Sequence, residues 1–143
     1  MPSAEHTVTI ARPIDEVYAF VADGTNNPRW RSGVIEISRT SEQDGLGATY
    51  RQVLTGPGGR RIDGDYRVTA YDPPRRLGFE VTAGPARPKG TFELSEPQPG
   101  RTTVRFRLEL QPTGLMRLAS PMIGRTMRSE VASLVRMKSV LES

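Results

Sequence analysis

A chain of 143 residues has the length of one domain, and 36% hydrophobic against 25% charged residues is enough apolar material for a core. With no cysteine and a single histidine, disulfides, thiolate metal sites, iron–sulfur clusters and cysteine nucleophiles are excluded, and a Ser-His-Asp triad or a histidine-built zinc site loses its raw material. The formal charge of +4 comes almost wholly from arginines spread among acids, a solvated mixed-charge surface rather than the clustered footprint of a polyanion site, so no nucleic-acid partner is expected. No run approaches the ~20 apolar residues of a membrane-spanning helix, and Met1–Ile10 lacks the basic start and apolar core of a signal peptide. A cytoplasmic protein without stable membrane insertion is expected.

The first periodic segment, His6–Ile10, alternates polar and apolar residues and predicts a half-buried strand. Pro13 then opens a helix, since proline suits the first turn and Asp15 and Glu16 complement the positive end of the dipole. Ile14, Val17, Tyr18 and Val21 share its buried face; the breakers from Asp23 to Pro28 end it, and a short second helical turn follows around Pro28–Arg31, with Trp30 in it. Six strands of period two come next, Val34–Ser41, Ala48–Thr55, Arg60–Tyr71, Arg75–Thr82, Gly90–Ser95 and Thr102–Gln111, joined by short Gly- and Pro-rich connections that imply an antiparallel meander. Their inward phase carries Tyr50, Gln52, Tyr66, Val68, Leu77, Phe79, Phe92, Leu94, Val104, Phe106 and Leu108. The outward phase is charged and should form cross-strand ion pairs. After Pro112 a long amphipathic helix carries Leu115, Met116, Ala119, Met122, Ile123, Met127, Leu134, Met137 and Leu141 on one arc, with Pro121 able to interrupt its first third.

One strand, a helix pair, six antiparallel strands and a long last helix is the element order of the helix-grip fold. The chain resembles the START-like superfamily, also called SRPBCC, and within it the polyketide cyclase/dehydrase-like branch. The residues that carry the likeness run nearly end to end: Ala11–Tyr18, Asn27-Pro28-Arg29-Trp30, Leu46–Tyr50, Tyr71–Leu77 and Met137–Glu142. The resemblance implies an α+β fold in which a curved seven-stranded antiparallel sheet wraps the C-terminal helix, with two short N-terminal helices and an apolar cavity between sheet and helix. It implies a hydrophobic small-molecule partner, with no cofactor or metal, and leaves room for a homodimer. Fold alone does not separate a binding protein from an enzyme.

Three functions are therefore weighed. The first is binding of a hydrophobic or aromatic molecule, polyketide-, lipid- or sterol-like. The second is a cyclase or dehydrase. The third is an interaction module that uses the basic surface.

The polar residues on otherwise greasy faces are the candidates for chemistry. Glu130 sits near the centre of the C-terminal helix's apolar arc; a buried carboxylate must be protonated, paired or wetted, each of which suits an acid/base or anchoring role, while a rotated helix would give it solvent or an arginine. Tyr50, Gln52 and Tyr66 could hold a carbonyl or hydroxyl, or serve as core with their polar tips at the rim. Trp30 either closes an entrance and stacks on a flat ligand or packs the core. Phe79, Phe92, Phe106, Met122, Met127 and Leu134 complete the expected lining, the methionines adapting to varied shapes. His6 is read as structural, and Gly56–Arg61, lacking the Lys-Ser/Thr of a phosphate loop, as a hairpin. The loop Asp23–Pro28 and the hairpins Gly56–Gly59 and Gly84–Pro88 are expected to gate the cavity.

Overall fold

The computed structural model describes residues 3–84, 87–110 and 120–143, and the side chains of all of these except 57 and 120–124. The expectations for the side chains of Leu115, Met116, Ala119, Met122 and Ile123, and for part of the hairpin Gly84–Pro88, lie outside what is described.

Strand β1 (Ser3–Ile10) leads to helix α1 (Ile14–Ala22), a 3-10 turn (Gly24–Asn26) and the short helix α2 (Asn27–Trp30). Pro13 caps α1 in extended conformation with Asp15 and Glu16 in the first turn, as the local chemistry requires. Strands β2 (Val34–Arg39), β3 (Thr49–Thr55), β4 (Arg61–Asp63), β5 (Tyr66–Asp72), β6 (Arg76–Val81), β7 (Lys89–Gln98) and β8 (Arg101–Glu109) follow, then helices α3 (Ser120–Ala132) and α4 (Leu134–Glu142). Seven strands form a curled antiparallel sheet in the order β1-β8-β7-β6-β5-β3-β2, and the short β4 pairs β3 off this path. Irregular register between Val34 and Glu36, Val68 and Ala70, and Ser95 and Gln98 supplies the bends that curl it.

Two elements differ in detail from the expectation. The strand expected over Arg60–Tyr71 is broken at Gly64 and Asp65. There the Asp65 carboxylate accepts the Gln52 N–H (3.1 Å) in place of a ladder carbonyl, and Gly64 N–H donates to Gln52 O (2.8 Å). A Cβ on Gly64 would come within 2.6 Å of the Leu54 side chain, which would have to shift to admit it. The last helix has a joint at Ser133, whose N–H reaches the Glu130 carbonyl (3.1 Å) while Arg136 N–H reaches Ser133 O (2.9 Å). These are bonds over three residues rather than four, tightening one turn without ending the helical course.

The concave face of the sheet is the core, closed by α1, α2 and the C-terminal helix; Ile10, Val17, Trp30, Val104, Phe106, Leu134 and Met137 are wholly buried in it. The convex face carries the expected pairs, among them Arg67 with Glu80 and Arg105 with Glu5 and Glu93. At the open edge of β1, Lys138 Nζ of α4 donates to Thr9 O (2.7 Å), and Ala11 N–H donates to Glu142 Oε2 (2.7 Å).

Candidate functional site

Period-two alternation on neighbouring strands sets five aromatic rings side by side on the concave face. Tyr50 and Tyr66 are register partners and stack at 4.9 Å. Phe92 and Phe106 are partners in the same way and stack at 4.3 Å. Phe79 lies between the two pairs, 5.4 Å from Tyr66 and 6.1 Å from Phe92. Its ring rests on Gly90, where a Cβ would come within 2.2 Å of it. Trp30 reaches in from α2 and meets Phe92 (6.0 Å) and Phe106 (5.8 Å) edge to face. Met127 and Leu134 face this floor from the C-terminal helix and are buried.

A polar cluster is set into the edge of that floor. Asn27 Nδ2 donates to Gln52 Oε1 (3.0 Å) and to Tyr66 Oη (3.2 Å), and Gln52 Nε2 donates to Gly64 O (3.2 Å). Gly24 N–H donates to Tyr50 Oη (3.3 Å); a Cβ at Gly24 would sit 2.1 Å from Tyr66 Oη, so the bend after α1 needs glycine there. Burial pushes the Tyr66 phenol well up, with Tyr50 beside it adding to the rise and the Asn27 hydrogen bond opposing it. Tyr50 is raised for the same first reason, against the pull of the Gly24 N–H. Both hydroxyls are therefore neutral, available as donors as well as acceptors. Glu130 meets an arginine: its Oε2 takes both Nε and Nη2 of Arg31 at 2.8 Å.

Two hollows border these groups. A narrow, partly open void of ≈20 Å³, room for a single water, has walls of Val21, Val68, Leu77, Phe79 and Phe92 into which Asn27, Arg31 and Tyr66 are set. Outside it, a groove of ≈340 Å³ runs between α1 and the β2–β3 and β5–β6 connections, past Asp15, Tyr18, Asp23, Asp44 and Tyr71. Ala22 borders both hollows.

Most of the residues expected to line a site do come together. Tyr50, Gln52, Tyr66, Phe79, Phe92, Phe106, Met127 and Leu134 are buried together on the concave side; Tyr66, Phe79 and Phe92 border the void, and Tyr50 borders the groove. Trp30 is 1% exposed, so it packs the core and does not stand at an entrance. The segment from Gly24 to Pro28 is helical, capped by Asp23, whose Oδ1 accepts the Thr25 N–H (3.0 Å), and Gly24 and Asn27 are buried, which corrects the reading of Asp23–Pro28 as a loop. His6 is half-buried opposite Phe106. The sequence reading missed Asn27 and Arg31. Their spacing held the signal, because Asn27, Trp30 and Arg31 stand at i, i+3 and i+4, one face of a helical turn.

A curled antiparallel sheet gripping a C-terminal helix over a buried aromatic floor defines a helix-grip protein of the START type. The chain belongs to the polyketide cyclase/dehydrase and lipid transport family, whose profile it matches over residues 1–142. Among solved structures, the Zhui aromatase/cyclase from Streptomyces sp. R1128 is similar with a TM-score of 0.80 at 20% identity, over 98% of this chain and 93% of that one. A START superfamily protein from Mycobacterium smegmatis is similar with a TM-score of 0.74 at 14% identity, over 98% and 97% of the two chains. The di-domain ARO/CYC BexL from the BE-7585A biosynthetic pathway has a TM-score of 0.68 at 25% identity, over 94% of this chain; this chain spans 45% of BexL. No curated protein sequence matches. No described helix is long and apolar enough to cross a membrane.

Proposed function

We propose that the protein binds a hydrophobic or aromatic small molecule, polyketide-, lipid- or sterol-like, between the aromatic floor and the C-terminal helix. The observation that carries this reading is the void where Asn27, Arg31 and Tyr66 interrupt an apolar wall, because few polar groups convergent in a greasy hollow are what a small-molecule site needs. A ligand larger than water enlarges the void by repacking its walls. Met127 and Met137 do not wall the void, but they are buried in the same core from the C-terminal helix, and their flexible side chains can give way as it enlarges. The family description and the aromatase/cyclase neighbour support the ligand class.

The cyclase or dehydrase reading would use Glu130 as acid or base with Tyr50, Tyr66 and Gln52 orienting carbonyls. Binding is favoured over turnover because Glu130, the group that reading uses as acid or base, is held by Arg31 and does not border the void. In this reading the protein works in the cytoplasm without nucleic acid, and size-exclusion chromatography separates monomer from homodimer.

Native mass spectrometry of protein purified from its own host tests the proposal, together with titration by 2-acetylnaphthalene followed through Trp30 emission. A co-purifying apolar mass or a saturable emission change is expected. Protein that carries no ligand and leaves Trp30 emission unchanged through the titration would overturn it.

A further inference from the structure

We infer that the indole N–H of Trp30 determines specificity in this site, by donating to an acceptor oxygen, a ketone or quinone carbonyl, on a flat apolar ligand. The inference rests on the ligand-binding reading above and sharpens it.

Among the described residues, Trp30 Nε1 is the buried side-chain nitrogen or oxygen left without a hydrogen-bond partner. The other polar side chains set into this part of the core are paired: Asn27 with Gln52 and Tyr66, Gln52 with Gly64, and Arg31 with Glu130. A buried tryptophan normally finds a partner for its N–H, and leaving it unmade is costly. Packing does not require the nitrogen, since the ring's contacts with Phe92 and Phe106 are edge-to-face contacts between aromatic surfaces. Among the described residues no acceptor meets this donor, which leaves it open to one carried by a ligand.

The chemistry of that acceptor follows from the donor. An indole N–H only donates, so it rewards a carbonyl or ether oxygen and offers nothing to an ammonium group or a hydrocarbon. Its surroundings reinforce the choice. On the same turn the Arg31 guanidinium carbon lies 5.8 Å from the Trp30 ring centroid, a positive charge that favours a partly negative carbonyl oxygen nearby. Phe92, which the indole touches, borders the void while Trp30 does not, so the bound ligand must extend the void past Phe92 to reach the indole.

The test uses two probes of one frame, 2-acetylnaphthalene and 2-ethylnaphthalene, which differ by a carbonyl in place of a methylene. Because Trp30 is the only tryptophan, its indole gives one proton–nitrogen correlation in the NMR spectrum. The acetyl compound is expected to bind about tenfold more tightly, the scale of one hydrogen bond to a buried donor, and to shift the indole proton downfield, which the ethyl compound does not. Trp30→Phe, and protein labelled with benzothienylalanine in place of tryptophan, should bind both probes alike. The labelled protein keeps the ring shape and loses only the N–H, so it stands if the phenylalanine variant fails to fold. Equal affinities in the unaltered protein, or an indole proton unmoved by the bound acetyl compound, would overturn the inference while leaving the ligand site intact. Absence of binding by either naphthalene would remove the site itself.

Discussion

Arg31 and Glu130 meet through a single oxygen. Nε and Nη2 of the guanidinium both lie 2.8 Å from Glu130 Oε2, with 9% of the arginine side chain and 21% of the glutamate side chain exposed. The pair ties the end of α2 to α3 and accounts for a carboxylate on an otherwise apolar helix face.

Removing one partner strands the other. Glu130→Ala should cost about 2–4 kcal/mol in urea unfolding, because the buried guanidinium loses its counter-charge, whereas Arg31→Met with Glu130→Met should cost about 1 kcal/mol. A double-mutant cycle with no coupling between the two positions would show that the pair is merely adjacent.

Gly90 lies beneath the Phe79 ring, with 2.2 Å between a built Cβ and the nearest ring carbon. Gly90→Ala should therefore destabilise by about 1–3 kcal/mol through overpacking. Adding Phe79→Leu to that variant should recover part of the loss, although Phe79→Leu alone is destabilising. Additive losses in thermal melts would place the clash elsewhere.

Burial, with Tyr71 next to it, pushes the Tyr18 phenol from 10.0 up to about 12, and burial also raises Tyr50 and Tyr66. Above about pH 10 the unfolded chain sheds phenolic protons that the folded chain retains, so it binds fewer protons and stability falls with rising pH. The contribution is whole below about pH 10 and is lost as the pH climbs through the folded values. Urea midpoints between about pH 9 and 11.5 should decline, and Tyr66→Phe should flatten the decline. A midpoint insensitive to pH over this range would contradict the neutral, buried phenols.

Most of the fold was legible because its signals are local. Strand alternation put Tyr50, Tyr66, Phe79, Phe92 and Phe106 on one face, and the breakers between strands marked their connections. What escaped the sequence reading depends on atoms far apart in the chain. The Arg31–Glu130 pair spans 99 positions, and the interruption at Gly64 follows from the Asp65 carboxylate replacing a ladder acceptor for Gln52. The short helix around Pro28–Arg31 was legible and is found at Asn27–Trp30, but the inward roles of Asn27 and Arg31 on its face were not drawn from it.

The attachment of α4 to β1 bears on colloidal behaviour. An edge strand with free N–H and C=O groups is a template for another chain. Here Lys138 occupies the Thr9 carbonyl and Glu142 the Ala11 N–H, so the final turns of the helix act as a cover for that border. Shortening the chain after Met137 should leave the aromatic floor in place and free the Thr9–Ala11 end of the border, with α3 still against β1. The product to look for by light scattering is then a growing, sheet-rich polymer seeded at β1, and sparse aspartate substitutions along β1 should suppress it.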